Sequence, residues 1–291
     1  MTIAESFGKI LQRCDYTQAD EAANIRHSGE VKRRLENFMD VSKVELMGSN
    51  ARGSAIRQTS DIDLLAVLRK TEWQRGGGPM KSSTVLNNVR DQLVQRFPTT
   101  ALGRDGQAIT VAFADGTNVD VVPAGWVAML QNNWPLYVIP DGSGGWMQTA
   151  PASHGKYIAA ANTKSGGMLS NVARIFRYWT CSRQQPVAIS GFHVELLMAA
   201  EGICAVDRSY SASFALLLET LAERECAALQ DPLGISRNVA ACGTAAKRDV
   251  AFGTVLACAD RAAAAVESER NSDVAEARRL WNIVFLDGFP R

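Results

Sequence analysis

Two rhythms of hydrophobic and polar positions divide the chain. Over residues 1 to about 40, Arg26, Lys32, Arg33 and Arg34 fall among Ile25, Val31, Leu35 and Phe38, the amphipathic spacing of a helix. One long helix is predicted there, with a break at His27-Ser28-Gly29. β-Branched runs follow at 44–47, 61–68, 109–113 and 119–122, the last two joined by Asp115-Gly116-Thr117, a hairpin signal. Between them Leu86, Val89, Leu93 and Phe97 repeat at helical spacing. The first half is thus expected to hold a sheet of at least four strands, with the GGGP at 76–79 as a flexible loop.

Residues 134–155 are rich in Pro and Gly and read as a long surface connection. From Lys156 onward the rhythm is helical, with no convincing strand. Leu169, Val172, Phe176 and Trp179 share one helix face as core, and further helices are expected at 192–205, 214–229, 249–269 and 273–285. The predicted fold class is α+β: a mixed-sheet domain over residues 1–150, an all-helical domain over 151–291, and a cleft between them.

Composition narrows the function classes. Apolar residues make up 46% of the 291 and charged ones 21%, the usage of an ordinary globular protein, not of a disordered, collagenous or repeat chain. Thirty-one Lys and Arg against 30 Asp and Glu give a net charge of +1, without the basic excess of a protein that grips a long duplex. No apolar run approaches the ~18–25 residues of a membrane span. The start, MTIAESFGKI, lacks the apolar core of a signal peptide, so a cytoplasmic location is expected. Six Cys without a C-x-x-C pair read as buried reduced thiols, and with three His a zinc or His-rich metal site is not expected.

The chemistry concentrates in 47–68, MGSNARGSAIRQTSDIDLLAVL. A strand ends at Met47, Gly48-Ser49 begins a small-residue turn, and Ser60-Asp61-Ile62-Asp63 opens the next strand. Strand residues two apart share a face, so Asp61 and Asp63 project together while Ile62 and Leu64 face the other way. Two such carboxylates repel unless a divalent cation lies between them, and all-oxygen donors suit Mg²⁺ or Mn²⁺. Asp120, in an apolar run where an unpaired carboxylate is costly, adds a third from a neighbouring strand. Three such carboxylates can hold two ions about 4 Å apart, the arrangement for attack by a hydroxyl on a nucleotide with pyrophosphate leaving. Gly48 and Ser49 offer N–H groups and a hydroxyl with no Cβ at Gly48 to obstruct a phosphate.

Blander readings compete. An Asp-x-Asp pair is often a solvated strand end, and Arg52, Arg57, Lys164 and Arg174 are more simply surface charges. Gly48 to Gly53 spells G-x-x-x-x-G, but Ser54 follows and no Lys, so the ATPase P-loop reading fails. His154 and His193 lack a nucleophile partner and read as structural. The loop Asp141-Gly-Ser-Gly-Gly145 reads as a loop and no more, and Tyr137 or Tyr157 is the candidate to stack on a base.

The pattern Gly48-Ser49, Gly53-Ser54, Ser60-Asp61-x-Asp63-Leu64 with a later Asp120 resembles the polymerase-beta-type nucleotidyltransferases. NVARIFRYW at 171–179 and ISGFHVELL at 189–197 resemble the helices after the catalytic domain of oligoadenylate synthases and their bacterial relatives. Ile139-Pro140-Asp141, then Trp146, Pro151 and His154, is similar to the connecting segment of the bacterial cyclic-oligonucleotide synthases, the CD-NTases of anti-phage signalling and kin of cyclic GMP-AMP synthase. The resemblance covers most of 44–240.

It implies a polymerase-beta-like nucleotidyltransferase domain and a helical domain that closes over the donor nucleotide. Asp61, Asp63 and Asp120 would hold two Mg²⁺ or Mn²⁺ ions, and Gly48, Ser49 and Ser60 the triphosphate. Arg177, where relatives often carry Lys, and Lys164 would join them on phosphate. The implied reaction makes a cyclic di- or trinucleotide messenger from ATP, GTP or pyrimidine NTPs with pyrophosphate release, in anti-phage (CBASS-type) signalling. A regulatory partner protein and a downstream effector of the product are implied; a membrane and stable duplex nucleic acid are not. Transfer of NMP to an RNA end, a protein or a small molecule, linear oligoadenylate synthesis, and an idle scaffold remain alternatives.

Overall fold

The structure, a computed structural model, describes residues 1–290 apart from 58, 98–100, 132 and 184. Two capping boxes set its first helices. Thr2 accepts from the Glu5 N–H while the Glu5 carboxylate accepts from the Thr2 N–H, opening α1 (Ile3–Cys14). Thr17 and Asp20 do the same for α2 (Gln18–Phe38). The expected single helix is therefore interrupted at 15–17, and not at His27-Ser28-Gly29, which lies inside α2. A reciprocal cap satisfies two orphan N–H groups, whereas one interior Gly costs only about 1 kcal/mol.

After α2 come β1 (Val41–Met47), the one-turn α3 (Gly48–Arg52), β2 (Ile62–Leu68) and α4 (Lys70–Trp73). The GGGP stretch is a two-residue hairpin instead of a flexible loop. β3 (Gln74–Arg75) pairs with β4 (Gly78–Pro79) across Gly76 and Gly77, whose φ values of 63° and 81° fit the tight turn of such hairpins. Next are α5 (Ser82–Arg96), β5 (Ala101–Asp105), β6 (Ala108–Ala112), β7 (Asn118–Met129), β8 (Pro135–Pro140) and β9 (Trp146–Thr149). Residues 134–155 are thus largely regular structure, the β8–β9 pair and the start of α6, correcting the expected surface connection. Pro135 and Pro140 stand at the ends of β8, where a missing N–H is tolerated, and the Gly-rich part is only the β8–β9 turn.

Seven strands form one mixed sheet in the order β1-β2-β7-β6-β5, with β8 on β7 and β9 on β8. β2 and β7 run parallel, and the other pairs are antiparallel. Alternation sorts the two faces. Ile62, Leu64, Ala66 and Leu68 with Val119 and Val121 pack against Val31 and Leu35 of α2 and Val85, Leu86, Val89 and Leu93 of α5. Leu65, Val67, Val122 and Ala124 form a second cluster with Tyr137 and Ile139. Pro123 falls where β7 leaves β6, after Val121, and takes up β8, at Gly125.

The remaining elements are α6 (Pro151–Lys164), α7 (Met168–Cys181), α8 (Gly191–Glu201), α9 (Tyr210–Glu223), the short pair β10 (Leu229–Gln230) and β11 (Asn238–Val239), α10 (Ala245–Arg270) and α11 (Val274–Val284). The β10–β11 pair is the exception to the strand-free expectation. Contacts divide the chain into a helical unit, Met1–Asp15, Ser54–Ile56 and Lys156–Arg291, and a sheet unit, Tyr16–Gly53 and Arg57–Gly155. A single cut at 150 does not describe this division, because α1 packs with the helices. Fully buried Phe7 stands edge-on to Trp281 and Phe289 at centroid distances of 5.1 and 5.2 Å. Trp179 and Phe176 are core, as expected.

All six cysteines are free thiols. Burial pushes the Cys14 thiol up to about 11 and Cys204 to about 12. Cys181, the last residue of α7, departs from the expected burial and is exposed. Among the described residues no helix is long and apolar enough to cross a membrane.

Candidate active site

The site grows from the junction of three strands in the sheet unit. β1 and β2 end their pairing at Met47 and Asp63, and in the parallel pair β2–β7 the partner of Asp63 is Asp120. Register partners in adjacent strands point to the same face, so two carboxylates stand side by side. That face is the one carrying Leu65, Val67, Val122 and Ala124, opposite α2 and α5. Both aspartates are half-buried, and Asp61, just before β2, is exposed.

Asp120 and Asp61 each have a neighbour that the sequence alone did not single out. Thr110, the β6 partner of Asp120, donates from Oγ1 to Asp120 Oδ1 at 2.6 Å. Asn118 Nδ2 donates to Asp61 Oδ1 at 3.0 Å, and Asn50 Nδ2 to the Asp61 carbonyl at 2.8 Å. Tyr16 donates from its hydroxyl to Asn50 Oδ1 at 3.3 Å. Asn118 lies two residues before Asp120 on the same face, so the period of two carried a signal for it. Thr110 depended on knowing which strand lies beside β7.

Gly48 follows β1 with φ +68°, a conformation that L side chains rarely adopt. A Cβ there would stand 1.7 Å from Asp63 Oδ2, so the turn closes on the carboxylate only because it is glycine. Ser49 is buried, and α3, which Gly48 opens, ends at Gly53 in the left-handed region. Ser60 is half-buried immediately ahead of Asp61. Gly48, Ser49, Ser60, Asp61, Asp63 and Asp120 therefore lie on or beside β1, β2 and β7 of one unit, with Asp63 and Asp120 in register and Asp61 held apart by Asn118.

Arg177 and Lys164 belong to the helical unit. Arg177 donates from Nη2 to Glu195 Oε1 at 3.0 Å, and Lys164 is exposed in the last turn of α6. Arg57 pairs with Asp20 at 2.8 Å, consistent with a surface role, whereas Arg174 is mostly buried, pairs with Asp15 and donates to the Leu11 carbonyl, tying α7 to α1 instead of serving as the expected surface charge. Tyr137 is 2% exposed within the second sheet cluster, so its ring is core and not a base platform. Tyr157 packs partly buried against the helical core. His154 and His193 are buried, each with Nδ1 on a backbone carbonyl, and burial holds His193 below the usual imidazole range. Asp141 Oδ1 accepts from the Ser143 and Gly145 N–H groups, the internal bonding of a plain turn.

Among the described residues no three His, Cys, Asp or Glu side chains are gathered closely enough to hold a metal ion. The in-register pair Asp63 and Asp120 nonetheless supplies hard oxygen donors on one face, which suit Mg²⁺ or Mn²⁺. Asp61 Oδ1 is instead held by Asn118 Nδ2.

The SMODS family, the Second Messenger Oligonucleotide or Dinucleotide Synthetase domain, matches residues 1–162. A probable cyclic nucleotide synthase of Bacillus cereus is 22% identical over 191 residues, 57% of this chain and 58% of that protein. A cyclic AMP-AMP-AMP synthase of Escherichia coli is 24% identical over 159 residues, 52% of this chain and 47% of that protein. The chain thus spans about half the length of the curated relatives it matches. The structure of E. coli CdnC with ATP superposes with a TM-score of 0.73 at 17% identity, covering 99% of both chains, a likeness of fold. With the synthetase domain matched over more than half its length, the chain belongs to the SMODS family, the CD-NTase nucleotidyltransferases.

Proposed function

We propose that the protein joins nucleoside triphosphates into a short cyclic oligonucleotide, a di- or trinucleotide, and releases pyrophosphate. The observation that carries this reading is the in-register pair Asp63–Asp120 closed over by the Gly48 turn, within the stretch matched to the synthetase family. The sheet unit alone presents acidic oxygens for a cation and a small-residue turn for phosphate.

In this reading Gly48 and Ser49 receive the triphosphate, and Asp61 and Asp63 with Asp120 hold two divalent ions, Mg²⁺ or Mn²⁺. The ions, when bound, lower the pKa of the attacking hydroxyl and offset charge on the leaving pyrophosphate. Asp120 takes part in removing the ribose hydroxyl proton, and Thr110 fixes the direction of its carboxylate. ATP and GTP are the first substrates to try, since ATP accompanies the E. coli relative. The product acts on a downstream effector in anti-phage signalling, and a regulatory protein controls its synthesis.

The test is incubation of the protein with labelled ATP, GTP, CTP and UTP and Mg²⁺ or Mn²⁺, followed by phosphatase, chromatography and mass spectrometry. A phosphatase-resistant product of two or three nucleotides is expected. The double variant Asp61→Asn, Asp63→Asn is expected to lose at least about a hundredfold of that activity, the scale set by removing a group that stabilises transition-state charge. Triphosphate consumption unchanged in the double variant, or NMP transferred only to an added acceptor, would overturn the reading.

A further inference from the structure

Glu195 of α8 is a fully buried carboxylate that the proposed chemistry does not use. Its Oε1 accepts from Ser54 Oγ at 2.7 Å and from Arg177 Nη2 at 3.0 Å. Burying a charge is costly even when paired, and a well-packed apolar residue would serve helix packing as well or better. What the carboxylate adds is a fixed point for two groups that come from distant parts of the chain, Ser54 lying 141 positions away.

The site around it is shaped to receive the guanidinium. A Cβ on Gly191, the first residue of α8, would come within 2.3 Å of Arg177 Nη2, 2.4 Å of Cζ and 2.7 Å of Nη1. The planar group therefore lies against a bare Cα and is aimed at Glu195. Ser54 is equally constrained, being 1% exposed, and Ile56 two residues on is 3% exposed in the helical core. Residues 54–56 thus count with the helical unit, although Gly53 and Arg57 on either side count with the sheet unit.

Those three residues are the middle of the segment that joins the Gly48-Ser49 turn to Ser60-Asp61. The segment is held near its ends by Asn50 on the Asp61 carbonyl and by the Arg57–Asp20 ion pair. Its centre is held by Ser54 and Ile56. We infer that Glu195 is a positioning residue: through Ser54 it fixes the segment that joins the phosphate turn to the first two aspartates. This rests on the triphosphate reading of Gly48 and Ser49.

The test uses Ser54→Ala, which removes one hydroxyl without a large cavity, beside Glu195→Gln, whose amide oxygen still accepts from Ser54. Amide hydrogen exchange over residues 48–60 and steady-state kinetics for the NTP substrates are measured on both and on wild type. For Ser54→Ala, exchange in that segment is expected to rise about fivefold, the equivalent of one typical hydrogen bond, with KM raised by a similar factor and kcat within about twofold. Glu195→Gln is expected to change both less. Unchanged exchange in Ser54→Ala, or raised exchange with KM unchanged, would overturn the positioning role while wild-type turnover stands. Wild-type protein that consumes no triphosphate would sink the catalytic reading, and the positioning role with it.

Discussion

At the scale of single residues, the site depends on groups defined by what they lack as much as by what they carry. Gly48 combines a left-handed backbone with an Asp63 carboxylate in the space of its missing Cβ. Two costs meet in Gly48→Ala: about 1–2 kcal/mol for the left-handed conformation, and displacement of Asp63 from its register with Asp120. The expected outcome is loss of at least about a hundredfold in NTP turnover with a fall in stability of at least that conformational size, measured by product formation and urea unfolding of the same preparation. Retention of wild-type turnover would mean that the Asp63 position tolerates movement. Thr110 and Asn118 act by direction, each holding one carboxylate oxygen of the aspartates.

At the scale of elements, the β6–β7 hairpin that carries Thr110 and Asp120 is fastened to α2 through its turn. Asp115 Oδ2 meets His27 Nε2 at 2.7 Å and Arg26 Nη2 at 3.3 Å, its Oδ1 accepts from the Thr117 N–H, and the His27 ring stacks on Phe113. The His27 hydrogen bond, helped by the Thr117 N–H, holds the Asp115 carboxyl down at about 2. A depressed carboxyl contributes stability that is fully present above its unfolded value near 4 and is lost as pH falls through about 2. Asp115→Asn is therefore expected to flatten the loss of stability between pH 4 and 2. Denaturant midpoints across that range check it. The pair also explains one misreading of the sequence: His27-Ser28-Gly29 has the composition of a break, yet it is where α2 grips the hairpin. The period-two runs of β2 and β7 made the aspartates and their shared face legible, because alternation is local. β8 and β9 were hidden by flanking Pro and Gly, and the partners of Asp120 and Glu195 by their distance along the chain.

At the scale of the whole molecule, α1 belongs to the helical unit although the whole sheet unit intervenes in sequence. Phe7 is 0% exposed among Phe214, Trp281, Phe285 and Phe289. Phe7→Ala is expected to cost about 3–5 kcal/mol, read from denaturant unfolding of the helical unit, with the larger part of the loss in far-ultraviolet helical signal. A change below about 1 kcal/mol would mean that α1 is dispensable to that core.

The same arrangement governs how the chain is born. Arg278 reaches back to the Met1 carbonyl, 277 positions away, and the rings that enclose Phe7 include those of residues 281–289. At about 5–20 residues per second, a ribosome needs roughly 15–55 s to make that interval, and α1 waits through it without its final neighbours. The sheet unit has all its strands by residue 149 and is free to close first. An amphipathic helix whose apolar face is left exposed for that long is a natural client for a holding chaperone, and shortening the wait, by slowing nothing before residue 150 and speeding codons after it, should raise the soluble yield.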